Sequence, residues 1–314
     1  MSQLKIGVVG YGNWGKNHVR VLSELNSLGG VYDKFYSSKK SSKKIKFYDS
    51  LDDLIDNVQG LIISSPANTH FEIAKKALKT MDVLIEKPIA MKTSDVLTLQ
   101  KLEKKYKKLI IVGHQLHFHP AVIKMHQLIE KGEIGKLRWI YSNRLNMGKI
   151  RPNENVLWSF APHDLSLILK FIKSEISNIS VQASKILNNK IEDTTLSLLD
   201  FKNGQKAHLF VSWIHPFKEQ RFVIVGDKGS IVFSDSKKSN KLELYKTTIE
   251  KDGSISAHNM KNITYTDREP LKEQALYFIE CIKSRKVEIN NSTDALKITK
   301  ILEESSNIIN KKDK

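Results

Sequence analysis

The start of this chain constrains it most: an apolar run at residues 4–9 passes directly into Gly10-Tyr11-Gly12-Asn13-Trp14-Gly15 and then into a helical pattern. Each glycine has a physical task. Gly10 permits a tight turn, Gly12 lets backbone approach a pyrophosphate, and Gly15 lets helix and strand pack closely, while the free N–H groups of the helix N-terminus face the phosphate. Asp33 ends the next apolar segment, 23 positions after Gly10, near the spacing of about 20 for an acid that binds the adenosine ribose. Beside a 2'-phosphate that carboxylate would cost on the order of several kcal/mol at an effective dielectric near 20, so the pattern selects NAD over NADP. Lys34, Ser37, Ser38 and Lys39 are the residues that would clasp a 2'-phosphate instead. The bland alternative is a glycine-rich turn beside a surface aspartate.

Residues 3–118 alternate strand and helix with short connections, the order of a doubly wound parallel sheet. Strands are expected at 4–9, 30–32, 61–64, 83–85 and 109–112, and helices up to 25 and near 51–56, 70–79 and 94–106. Beyond His119-Pro120 the pattern changes: a helix at 122–131, a strand at 137–144, a polar loop, a helix at 162–173, then strands joined by Lys202-Asn203-Gly204 and Asp227-Lys228-Gly229 turns. Two helices, 270–284 and 293–310, complete it. The fold class is α/β, a Rossmann doubly wound parallel sheet, plus an α+β domain with an open, mainly antiparallel sheet. The boundaries expected are 1–118 for the NAD-binding domain and 119–314 for a second domain that includes the C-terminal helices; the resemblance set out below implies that this second domain binds substrate and joins subunits.

The formal charge of +17 comes largely from lysines dispersed in pairs, with no aromatic-interleaved stripe, so it reads as solvated surface rather than a nucleic-acid face. It also helps collect an anionic small molecule. No apolar run approaches the roughly 20 residues of a membrane span, and the N-terminus reads as a strand rather than a leader, so a cytoplasmic location is expected. The lone Cys281 falls within a helical pattern and reads as core, with a reactive thiol as the alternative. His114, His117 and His119 span a strand end without an acidic or cysteine partner at ligand spacing, so no metal is expected.

Gly10 to Gly15, Ser65-Pro66-Ala67-Asn68-Thr69-His70, Glu86-Lys87-Pro88 and a later helical His163 together resemble the glucose-fructose oxidoreductase, inositol dehydrogenase and rhizopine catabolism (Gfo/Idh/MocA) family over nearly the whole chain. The resemblance implies NAD held between a Rossmann domain and an open-sheet domain whose broad face joins subunits into a homodimer or homotetramer. It places Asn13, Trp14, Ser65, Pro66, Asn68, His70, Glu86, Lys87, Pro88 and Gln115 beside the cofactor, with Lys87-Pro88 as a possible cis bond. Alcohol oxidation needs a base for the hydroxyl proton and a cation near the forming alkoxide. Lys87 is the expected cation and proton shuttle, and His163 the base. A solvated lysine before a turn proline for Lys87, a cap or core histidine for His163 and a helix-start histidine for His70 are the plain structural alternatives. Where the family commonly carries an aspartate four residues before the histidine, this chain has Ser159, and Asp164 is the substitute orienting acid.

The stretch from Asn143 to Asp164 is similar to the subgroup acting on nucleotide-linked amino sugars, notably UDP-N-acetylglucosamine 3-dehydrogenases, whose 3-keto product feeds a PLP aminotransferase for lipid A or related lipopolysaccharide glycans. Arg144, Lys149 and Arg151 are candidates for balancing a pyrophosphate, Trp158 for stacking on a sugar or nicotinamide face, and Asn146 for substrate contact. Surface charge and core packing explain each of these equally. Trp213, His215, Lys218 and Arg221 are read either at the substrate mouth or on a sheet face. The competing activities are 3-oxidation of UDP-N-acetylglucosaminuronic acid, oxidation of an inositol-type polyol, and a non-catalytic nucleotide-sensing regulator.

Overall fold

A computed structural model describes residues 4–42, 45–148, 150, 154–187, 190–249, 252–256 and 260–312. It divides into two compact units, Met1–Gln115 with Glu269–Lys300, and Leu116–Arg268 with Ile301–Lys314.

The first unit runs β1 (Ile6–Val9), α1 (Asn13–Glu24), β2 (Leu28–Tyr32), β3 (Phe47–Tyr48), α2 (Leu51–Ile55), β4 (Gly60–Ile63), α3 (His70–Ala77), β5 (Asp82–Ile85), α4 (Thr93–Tyr106) and β6 (Ile110–Val112). Among the described residues its sheet has six strands in the order β3-β2-β1-β4-β5-β6, every pair parallel. The sequence explains this: β1, β4, β5 and β6 are buried at every position, as strands covered on both faces must be. The order reverses between β1 and β4, the switch point at whose carboxyl ends ligands bind in such sheets.

The second unit contains α5 (Pro120–Glu130), β7 (Leu137–Met147), α6 (Val156–Phe171), β8 (Ile176–Ser184), β9 (Thr194–Phe201), β10 (Lys206–Ser212), β11 (Ile214–Gly226), β12 (Gly229–Ser234) and β13 (Leu242–Lys246). The small strands β14 (Thr248–Ile249), β15 (Ile255–Ser256) and β16 (Lys261–Asn262) follow. Its large sheet has the order β16-β13-β12-β11-β7-β10-β9-β8 among the described residues and is antiparallel except for the pair β7/β10. Alternation is plain in β9, where Thr195, Ser197 and Leu199 are buried and Leu196 and Leu198 exposed.

Two expectations are corrected. The helix foreseen at 162–173 begins at Val156, because Asn155 caps it by accepting from Trp158 N–H at 3.1 Å, and Pro162 sits inside the helix rather than opening it. The C-terminal helices do not all belong with the second sheet. Residues Glu269–Lys300, comprising α7 (Pro270–Ser284) and the first part of α8 (Ser292–Lys312), join the first unit. The reason is packing: Phe278 and Cys281 lie in one core with Ile6, Val8 and Leu84, while Leu271 and Ala275 pack on Val21 of α1.

Candidate active site

The glycine turn has the shape a pyrophosphate cradle needs. Gly10 takes φ +92°, and a Cβ there would lie 2.7 Å from the Ser65 nitrogen. A Cβ on Gly15 would stand 1.9 Å from the Gly10 carbonyl oxygen, so only glycine lets α1 approach β1. Gly12, the residue preceding α1, is different: nothing lies within 4 Å of its Cβ position, and Gly12, Asn13 and Trp14 are exposed at the helix start. That open N-terminus can receive phosphate oxygens. Asp33 closes the far side. Its Oδ2 accepts from Tyr11 N–H at 2.7 Å and its Oδ1 from Phe35 N–H at 2.9 Å, and each oxygen retains acceptor capacity for ribose hydroxyls. Tyr11 stands edge-on to Tyr36 and Phe47, which stack on one another with centroids 5.2 Å apart. These residues therefore fit a bound NAD.

Next to this cradle the Ser65-to-His70 loop follows β4. Ser65 Oγ and Thr69 Oγ1 are 2.7 Å apart, Pro66 and Asn68 are exposed, and His70 opens α3 with its ring buried. Gln115 begins the 3-10 turn after β6 and is half-buried. The Glu86-Lys87-Pro88 turn ends β5, and the Lys87–Pro88 bond is cis.

Glu86 lies 13% exposed against His18 of α1, Oε1 to Nε2 at 2.8 Å. Burial alone pushes the Glu86 carboxyl up. The hydrogen bond from His18 and the charges of His18, Lys87 and His70 outweigh it, and its pKa is lowered. Gly113 makes room for this carboxylate, since a Cβ there would meet Oε2 at 2.9 Å. His18 was not among the sequence candidates. The available signal was its place on the buried stripe of α1 with Gly15, Val19 and Leu22, where a polar side chain needs a partner.

In the second unit α6 is buried from Val156 to Ile168 except at Phe160 and His163, three residues apart on one face. Phe160 meets the buried Trp213 edge-on at 6.4 Å, and His163 is half-buried. Asp164, the substitute orienting acid, is engaged by another residue. Its carboxylate takes Arg144 Nε at 2.5 Å and Nη2 at 3.0 Å in a buried bidentate pair. The same pair corrects the reading of Arg144 as a pyrophosphate ligand, because its guanidinium faces β7's own helix layer. Trp158 is 7% exposed and donates from Nε1 to Ser306 Oγ at 2.9 Å, so it is a packing anchor rather than an open stacking platform. Asn146 is half-buried near the end of β7. Lys149 and Arg151 lie outside the described residues. His215 packs on Phe217, and Arg221 is exposed on β11. His119 caps α5 by accepting from Ala121 N–H, and among the described residues no group of three metal-ligating side chains is present.

A glycine cradle, an aspartate after β2 and a lysine turn on one doubly wound sheet, with a histidine-bearing helix on a separate mixed sheet, make the arrangement of an NAD-binding oxidoreductase. Residues 4–114 match the family described as "Oxidoreductase family, NAD-binding Rossmann fold", and residues 122–232 match the GFO/IDH/MocA C-terminal domain. The chain belongs to the Gfo/Idh/MocA family.

Among its relatives, UDP-N-acetylglucosamine 3-dehydrogenase of Acidithiobacillus ferrooxidans is 25% identical over 219 residues, 68% of either chain. Its crystal structure superposes with a TM-score of 0.84 at 19% identity, covering 98% of each chain. Inositol 2-dehydrogenase 2 of Saccharopolyspora erythraea is 24% identical over 246 residues, 73% of this chain and 72% of the relative. The structure of GenD2 from gentamicin A biosynthesis, in complex with NAD, aligns with a TM-score of 0.81 at 18% identity over 98% of this chain and 94% of that one. These structural likenesses fix the fold.

Proposed function

We propose that this chain oxidises the C3 hydroxyl of UDP-N-acetylglucosamine to a ketone, supplying a 3-keto sugar to a PLP aminotransferase in surface glycan or lipid A synthesis. The broader assignment, an NAD-dependent dehydrogenase acting on a sugar or polyol CH–OH group, follows from the family and its dehydrogenase relatives. Bound NAD supplies the hydride acceptor. Gly10, Gly12 and the start of α1 hold its pyrophosphate and Asp33 its ribose. Lys87 stabilises the negative charge developing on the substrate oxygen, and a ring nitrogen of His163 receives the hydroxyl proton.

The observation that carries this reading is the lysine turn, held at the end of β5 by a buried carboxylate that α1 itself grips through His18. A solvated surface lysine would have no such support. The nucleotide-sugar choice rests on the relative from Acidithiobacillus ferrooxidans, and inositol oxidation is the alternative that the Saccharopolyspora relative supports. NADH formation by the purified protein with UDP-N-acetylglucosamine, UDP-N-acetylglucosaminuronic acid and myo-inositol separates them. Lys87→Ala should lower turnover by about 100-fold or more while NAD still binds; unchanged turnover would refute catalysis through this residue and favour a nucleotide sensor.

We further propose that copies of the chain associate through the open face of the large sheet. On that face Leu198, His208 and Tyr141 lie in one cross-strand row and Leu196 and Phe210 in the next. Leu196 and Leu198 are 41% and 43% exposed.

A further inference from the structure

His70 is 1% exposed at the first position of α3, and both of its ring nitrogens face carbonyl oxygens. Nδ1 is 2.8 Å from Pro88 O, and Nε2 is 2.8 Å from Ser65 O. A carbonyl oxygen only accepts, and a neutral imidazole carries a single N–H. With a neutral ring, one nitrogen lone pair would point at a carbonyl lone pair at hydrogen-bond distance. Turning the ring over does not help, because it would present carbons to both oxygens and strip both contacts at once. Only the doubly protonated ring satisfies both partners.

We propose that His70 is a buried imidazolium that clamps the Ser65 loop to the Lys87-Pro88 turn, acting as a positioning residue for Lys87. The positioning half rests on the dehydrogenase reading; the charge state does not.

The surroundings support a cation there. At the end of β5 Glu86 is the nearby carboxylate, and its own charge is favoured by His18, Lys87 and His70 together. His114, at the end of β6, is pushed down to about 4 by burial, against the pull of Glu86 and with the push of Lys87, so it adds no competing positive charge at neutral pH. β4 has no titratable side chain, and Asp82 at the opposite end of β5 is held by Arg285 at 2.5 Å. On α4, packed against α3, the charged residues are Asp95, Lys101, Glu103, Lys104 and Lys105, with Glu103 bound to Ser292 Oγ and Ile110 N–H. On α3 itself Glu72 pairs with Lys75, and Lys76 with Asp52. The charge-assisted bonds to two carbonyls, roughly twice as strong as neutral ones, work against the desolvation of the ring.

The test is long-range proton–nitrogen NMR on the full chain labelled with 15N-histidine, without cofactor or substrate, with His70 assigned by backbone connectivity and by its loss in His70→Gln. The expected result is two protonated ring nitrogens at pH 7, titrating at least about 1.5 units above the ordinary histidine value near 6.5. A neutral tautomer at pH 7 overturns the proposal, whatever the protein's activity. For the positioning role, a substrate that turns over should show kcat falling on the alkaline side at the pH where the His70 signals titrate. His70→Gln should lack that limb and lose about 100-fold in kcat. An unchanged kcat in the folded variant refutes positioning. Should the variant not fold, the wild-type titration and the wild-type kcat limb, which need no variant, still decide.

Discussion

Burial decides the charge of His114. The residue is 3% exposed, and desolvation carries its pKa down from 6.5 to about 4, Glu86 opposing and Lys87 assisting. The unfolded chain therefore takes up this proton first as pH drops, so the stability His114 contributes is full above pH 6.5 and is lost progressively between 6.5 and 4. At about 1.4 kcal/mol per pH unit, that loss approaches about 3 kcal/mol. Urea unfolding across this range should show the loss in the wild type and a flatter profile in His114→Gln; equal slopes would contradict it. Glu86 acts lower on the scale. Its depressed pKa gives stability above the ordinary carboxylate value that disappears as pH falls through the folded one, so Glu86→Gln should flatten only the most acidic part of the same curve. The glycine turn and the Glu86-Lys87-Pro88 turn were legible because the residues that form each are adjacent in sequence. His18 was not, since its partner Glu86 is 68 positions away and nothing local marks the pairing.

Among the elements, α1 separates two roles that one glycine motif conflates. At Gly15 a methyl group collides with the Gly10 carbonyl, whereas at Gly12, with φ −73°, it meets nothing within 4 Å. Gly12→Ala should therefore keep folding stability within about 1 kcal/mol while weakening NAD by about 10-fold or more, one factor of ten per 1.4 kcal/mol of lost phosphate contact. Gly15→Ala should destabilise the fold itself, by about 3 kcal/mol or failure to accumulate. Thermal unfolding beside a fluorescence titration with NAD distinguishes the two; equal behaviour of the variants would mean that Gly12 does not face the phosphate. Helix α6 poses the opposite problem. Its start was misplaced because Pro162 resembles a first-turn proline, while the true cap, Asn155, lies in a polar stretch that reads as loop. Once α6 is in place, Arg144 and Asp164 fasten it to β7. Arg144→Met should cost about 3–5 kcal/mol by stranding a buried carboxylate, and the Arg144→Met, Asp164→Leu double variant distinctly less. A double variant as unstable as the single one would show that lost packing, not the stranded charge, is what matters there.

At the scale of the whole molecule, the amphipathic pattern of residues 270–284 announced a helix with a buried face but could not say what it covers. Leu271, Ala275, Phe278 and Cys281 satisfy any apolar surface, and only the folded chain shows that surface to be α1 and the Rossmann core. The open sheet carries a similar ambiguity, since a strand with leucines on its outward face is covered there either by its own chain or by a second copy. β9 is such a strand. Leu196 and Leu198 alternate with Thr195, Ser197 and Leu199, which lie beneath the helix layer. A twofold interface buries each residue twice. With 41% and 43% of these leucines left to cover, each contributes roughly 0.8 kcal/mol, and their four copies about 3 kcal/mol, or more than about 100-fold in dissociation constant. Replacing both leucines by lysine adds the cost of burying like charges against each other. Light scattering should find the wild type at a multiple of 35.9 kDa and the Leu196→Lys, Leu198→Lys variant shifted to the single-chain mass at micromolar concentration. NAD affinity should stay within about 3-fold, because the glycine cradle and Asp33 belong to the other unit. A wild type that runs as a single chain at every concentration, or a variant that keeps its assembly, would assign the exposed leucines of β9 to another partner.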